Sequence, residues 1–172
     1  MTTTPRTWSV GEVVTAQMLN TEIRDQFGSF FGSWSTWSPT WLAEGGAEPT
    51  LGNGELSGRY LKVGRTVDWV LQLRWGSETQ AGGGGGSENW EFVLPVPPAT
   101  GFTYRVASAD AYDSSTGLHY SGHAVYSTSD GGVVKTFVSA LGDVGGIWDS
   151  SLPFAWSTAD YLYAWGRYEA GA

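Results

Sequence analysis

The segment "TVDWVLQLRW", residues 66–75, alternates without a break: Val67, Trp69, Leu71, Leu73 and Trp75 fall on one side, and Asp68, Val70, Gln72 and Arg74 on the other. A period of two over ten residues is the signature of a strand with one face in a core and one toward solvent, which antiparallel sheets allow. The preceding "ELSGRYLKVG" pairs with it through a turn at Gly64-Arg65. Other segments repeat the pattern. "WEFVLP" places Trp90, Phe92 and Leu94 in phase before Pro95, Pro97 and Pro98 stop the strand. "GFTYRVASADAYDS" and "GLHYSGHAVYSTSDGGVVKTFVS" supply three more strands, the last two joined by a turn around Asp130-Gly131-Gly132. In the terminal "YLYAWGRYEAGA", Tyr161, Tyr163 and Trp165 oppose Leu162 and Ala164, so this strand reads as covered on both sides.

Between the strands lies turn chemistry. Asn53-Gly54 is the sharpest local turn signal, and the five glycines Gly82 to Gly86 read as a flexible hairpin loop. That run is no phosphate cradle, because the Lys-Ser/Thr and helix of a P-loop do not follow it. Ser38 to Leu42 is expected to form an entering strand. About seven or eight short strands at near-regular spacing predict a mainly β chain, an antiparallel β-sandwich or jelly-roll-like domain.

One segment departs from this pattern. In "TWSVGEVVTAQMLNTEIRDQF", residues 7–27, Thr15 is a candidate N-cap and Gly28 a candidate left-handed C-terminal residue, predicting one short N-terminal α-helix over about 16–27. Ala16, Leu19, Ile23, Gln26 and Phe30 follow 3-4-3-4 spacing, and Phe27 widens the stripe. A helix so short is marginal alone in water, so its stripe requires a partner, either its own β-domain or sister copies. The expected division is an assembly or attachment segment at 1–32 and a β-sandwich domain at 33–172. Leu19, Ile23, Phe27, Phe30, Trp34 and Trp37 are the candidate oligomer interface. Gln26 at a core position would then favour one register.

Composition restricts the chemistry. The formal charge of −8, from 17 acidic and 9 basic side chains, disfavours a phosphate-backbone partner, so no nucleic acid is expected. There is no cysteine for disulfide or thiol chemistry. No stretch approaches a membrane span and the N-terminus lacks a secretory pattern, so the expectation is a soluble chain made in the cytoplasm, without membrane insertion. His119 and His123, with Asp110 and Asp113 nearby, are the best catalytic or metal constellation. On a strand, however, the imidazoles would stand ~13 Å apart, too far to share one ion. "YDSSTG", at residues 112–117, has too few carboxylates for a calcium loop. No Gly-x-Ser-x-Gly elbow exists, and Glu88, Glu91, Asp143 and Asp149 read as solvated surface. The expectation is a protein that is not an enzyme and carries no cofactor or metal. With 10 Trp, 8 Tyr and 7 Phe, the alternatives are a Trp-rich core or aromatic surface that meets a partner. Tyr112, Tyr120, Tyr126 and Trp148 are the candidate surface-ligand aromatics, on which a sugar face could stack.

The opening segment resembles the N-terminus of small virion proteins, of tail-fibre or minor-tail type, from tailed bacteriophages, especially those of actinobacteria. The resemblance rests on Trp8, the run Gly11-Glu12-Val13-Val14-Thr15-Ala16, and Asn20, Ile23, Arg24 and Asp25. Residues 49–77 and 152–172 resemble the body of the same proteins, whereas residues 101–148 diverge. The resemblance implies a structural protein of the virion, often a homotrimer. Such a protein forms a tail appendage that contacts other virion proteins and the host surface, or decorates the capsid. A carbohydrate-binding module that engages host cell-surface glycan is the alternative from another class.

Overall fold

The computed structural model describes residues 6–43, 47–82, 89–100, 103–127, 133–139 and 148–171; within the strands, the side chains of 103–106, 125–127 and 133–139 are not described. The chain is mainly β, antiparallel throughout, with one short helix near the N-terminus. Among the described residues nine strands make one sheet: β1 (Ser35–Trp37), β2 (Trp41–Ala43), β3 (Glu55–Val63), β4 (Thr66–Arg74), β5 (Trp90–Val93), β6 (Thr103–Asp113), β7 (Leu118–Ser127), β8 (Val133–Ser139) and β9 (Tyr161–Glu169). Their spatial order is β1-β3-β4-β9-β6-β7-β8-β5-β2.

The two edges of this sheet, β1 and β2, are separated in sequence only by Ser38, Pro39 and Thr40. A flat nine-strand sheet would hold its edges ~38 Å apart at the usual inter-strand spacing. The sheet must therefore curl until one extended segment can serve both edges, a strand switch of the kind that makes the corner of a sandwich. The single strand expected at Ser38–Leu42 is accordingly split. Pro39 has no N–H to give to a ladder and occupies the switch, with β1 paired to β3 before it and β2 to β5 after it.

Inside the curl lies one apolar core. β4 contributes Val67, Trp69, Leu71 and Leu73, the face its alternation predicts, and Trp75 follows in phase. Opposite these large groups the inner faces of β6, β7 and β9 carry small ones: Ala107, Ala109, Ala111, Gly122, Ala124 and Ala164. This complementarity makes room for the indoles. At Gly122 an added Cβ would stand 2.8 Å from the Trp148 ring, and at Gly58 it would overlap Trp37. Trp41, Trp75, Trp90 and Trp156 form a continuous cluster, with ring centroids 5.0 to 5.8 Å apart in both stacked and edge-on pairs, arrangements that aromatic quadrupoles favour. The Trp-rich core is thus the main destination of the aromatic excess.

The hairpin β3–β4 turns at Gly64-Arg65 as expected, with Gly64 at φ 58. The hairpin β6–β7 turns through Ser114–Gly117, whereas the Asp130-Gly131-Gly132 turn and Gly83–Gly86 lie outside the described residues. Strand β9 differs from expectation. Leu162 and Ala164 are buried, but the opposite face is not covered: Trp165 is 46% exposed and Tyr161 and Tyr163 are half-buried.

The N-terminal helix is α-helical over Ala16–Leu19 and Asp25–Gly28, with a π-helical turn at Asn20–Arg24 between them. Thr15 caps it as expected, its Oγ1 accepting from Met18 N at 3.2 Å. Gly28 does not end it in a left-handed conformation: Ser29 stays right-handed at φ −64. Ser29, Phe30 and Phe31 then donate to the carbonyls three residues back, carrying the helical path to Phe31. None of the helix residues is buried.

Candidate functional site

Two surfaces stand out, and the first is the N-terminal segment. Leu19, Ile23, Phe27 and Phe30 are 43%, 47%, 60% and 63% exposed, and Phe31, Val13 and Trp8 add to the same apolar segment. The rings of Phe27 and Phe30 lie 6.4 Å apart, so the stripe is locally continuous. Among the described residues, nothing of the β-domain buries this apolar helix face. The π turn adds a residue to the helix between Leu19 and Asp25, so the stripe departs from ideal α-helical phase. The other two residues of the expected interface behave differently. Trp34 is 36% exposed and lies beside the sheet's outer face. Trp37 is a correction: it packs on the core, edge-on to Trp69 at 6.1 Å and over Gly58, because β1 turns its side chain inward.

The second surface is the outer face of β3, β4, β9 and β6. Cross-strand register aligns Arg59 of β3, Val70 of β4, Trp165 of β9 and Ser108 of β6 in one row, which His123 of β7 extends. Beside Trp165, the Arg167 guanidinium donates to both oxygens of Asp68, Nε to Oδ1 at 2.7 Å and a terminal nitrogen to Oδ2 at 3.0 Å. The next outward residues of β9, Tyr163 and Tyr161, stack at 5.6 Å with their planes 4° apart. Burial, followed by the neighbouring Tyr161 and Asp110, raises the Tyr163 pKa above the ordinary phenol value, so it stays a neutral hydroxyl at physiological pH. An open groove of about 770 Å3 is lined by Trp165, Trp34, Val70 and the Asp68–Arg167 pair. β6 carries an irregularity in its pairing with β7 between Arg105 and Ala107, at the end of this groove. Bulges commonly re-aim side chains at such positions.

The expected ligand aromatics fare unevenly. Trp148 is 1% exposed and seated over Gly122, so it is a core residue and no surface platform. Tyr120 faces inward and packs on Phe154 at 5.1 Å. Tyr112 is half-buried on the outer face, 4.8 Å from the His119 ring, while the Tyr126 side chain lies outside the described residues. The aromatics that do line the outer face, Trp165, Tyr163 and Tyr161, were visible in the β9 alternation. They were missed because the larger set in an alternating strand ordinarily points inward, and here it points out.

The polar residues singled out in the sequence do not form one cluster. His119 Nδ1 lies 2.6 Å from Asp110 Oδ1, an exposed pair on neighbouring strands. His123 lies on another part of the face, along the groove. Among the described residues no three of His, Cys, Asp and Glu are grouped to hold a metal ion. Asp113 accepts from the backbone and hydroxyl of Ser115 and from Thr116 N, closing the β6–β7 turn as an Asx turn. Asp149, expected at the surface, is 5% exposed and closes a similar turn through Ser151 and Leu152.

The Ser115 hydrogen bond, ahead of the Thr116 and backbone bonds, draws the Asp113 pKa below its ordinary 3.8, with burial opposing. A depressed folded-state pKa gives stability that is complete above the unfolded value and lost as pH falls through the folded one. Urea midpoints of the wild type are thus expected to fall more steeply below about pH 4 than those of Asp113→Asn. Identical acid-limb slopes would refute this.

Comparison of the chain with protein-family models, with curated proteins and with solved structures finds no match.

Proposed function

We propose that the protein is a structural subunit of a tailed-bacteriophage virion, a homotrimeric tail appendage of tail-fibre or minor-tail type that joins to other virion proteins and faces the host surface. The observation that carries this reading is the capped N-terminal helix, none of whose apolar side chains is buried and whose Leu19, Ile23, Phe27 and Phe30 are exposed. A helix this short does not persist in water without tertiary contacts. Its stripe is self-complementary in character, Leu, Ile and Phe with no charge among them, so sister copies are the simplest cover. Resemblance of the same segment, from Trp8 to Asp25, to phage virion proteins supports the setting. The β-domain suits a part that must persist without disulfides: its buried carboxylates are spent on turns and its core on stacked indoles.

The full chain is expected to run as a trimer by native mass spectrometry, and Ile23→Asp with Phe27→Asp to run as a monomer of unchanged β-sheet circular dichroism. A monomeric wild type, or a trimer indifferent to the double change, would overturn the assembly role. Immunogold labelling of particles then separates tail from head: label on the capsid would replace the appendage by a decoration protein, and unlabelled particles would remove the virion assignment.

A further inference from the structure

We propose that the groove over Trp165 is a binding site for a neutral oligosaccharide. The proposal stands apart from the assembly reading, because it uses the outer face of β4, β9 and β6 and Trp34 just before β1, and needs nothing of the N-terminal helix.

Several observations converge on sugar chemistry. An indole held nearly half exposed, with an aliphatic Val70 beside it at 38% exposure, offers the flat apolar platform that the C–H face of a pyranose covers. A second indole, Trp34, also lines the groove. The groove is open and shallow, with about 770 Å3 over it, room for two or three sugar rings. Beside the platform, the Asp68–Arg167 pair is fixed in a bidentate fork. The fork leaves guanidinium N–H groups and carboxylate lone pairs beyond those it consumes, a donor and an acceptor side by side. That is the pattern two vicinal hydroxyls require. Ser108 and His123 add a hydroxyl and an imidazole along the far wall.

Charge chooses among sugars. Asp68 and Arg167 cancel, and the chain as a whole carries −8, so neither the groove nor the long-range field attracts an anionic glycan. A second depression of about 250 Å3 adjoins the first across Val70 and is lined by Tyr163, Gln72 and Arg59. An oligosaccharide lying across β4 and β9 would thus place one ring on Trp165 and the next toward Tyr163.

The test is a titration of the full chain with cellotetraose, maltotetraose, mannotetraose and chitotetraose, followed by saturation-transfer NMR and tryptophan fluorescence, beside an array carrying neutral and acidic glycans. At least one neutral oligosaccharide is expected to bind. Trp165→Ala should weaken that binding at least ~10-fold, in line with loss of a stacked ring, and Arg167→Ala several-fold, with the melting temperature of each variant unchanged because both side chains are exposed. Silence across every neutral glycan, preference for acidic ones, or binding indifferent to Trp165→Ala would each overturn the proposal. A change in oligomer mass on Trp165→Ala would overturn it too, by making the groove a subunit contact.

Discussion

Trp90→Ala is expected to lower stability by about 4 kcal/mol, a large share of what holds a domain of this size together. Trp90 is 1% exposed and touches three aromatic neighbours at once, Trp41 edge-on at 5.1 Å, Trp75 stacked at 5.6 Å and Trp156 at 5.0 Å, while Trp41 in turn stacks on Phe92. The cavity left by an indole cannot collapse here, because its walls are other rings locked by their own packing. The same change at the exposed Trp165 should cost less than about 0.5 kcal/mol. Chemical denaturation of both variants checks the contrast. Equal losses would mean that the stacked cluster does not anchor the core.

Asp160→Ala is expected to cost about 3 kcal/mol and lower the melting temperature by roughly 10 °C. Asp160 is fully buried, and its two oxygens accept four hydrogen bonds: from the backbone and hydroxyl of Ser114, both 2.8 Å to Oδ1, and from those of Ser157, 2.6 and 3.1 Å to Oδ2. The main chain at this point is tied as well, with Trp75 N donating to Asp160 O and Ala159 N to Trp75 O. One carboxylate therefore joins the end of β4, the β6–β7 turn and the entry to β9. Alanine would take the acceptor from the Ser114 and Ser157 backbone N–H groups at once, whereas their hydroxyls can rotate to new acceptors. Asp160→Asn keeps acceptor oxygen on one side only and should fall between wild type and alanine. Differential scanning calorimetry measures the series, and an alanine variant melting within about 2 °C of wild type would show that the junction carries little stability.

The two predictions draw on features of different legibility. Trp90 was readable as an inward residue, because "WEFVLP" keeps the phase that a half-buried strand demands. Asp160 was not, since its donors come from residues 114 and 157, and nothing local distinguishes it from a surface aspartate. Trp148 failed for a related reason. It sits in a stretch without periodicity, and its burial depends on a glycine, Gly122, in a different strand. Trp37 likewise depends on Gly58. In the candidate groove, Trp165 and Arg167 share a face by alternation alone, but Asp68, Val70, Ser108 and His123 join them only through register between strands as far as 99 residues apart.

By itself the sequence determined the local structures: the β3–β4 hairpin with its two-residue turn, the inward face of β4, the Thr15 cap and the stripe of the N-terminal helix. These follow from periodicity, capping and turn geometry, which act over a few residues. Only the tertiary structure decided that β1 and β2 are the two edges of one curled sheet, and which face of β9 is inside. Alternation says which side chains share a face and leaves open which face is buried. That choice was made by volume: Trp69, Trp90 and Trp148 already fill the interior, so β9 turns Ala164 and Leu162 toward them and leaves Trp165 on the outside.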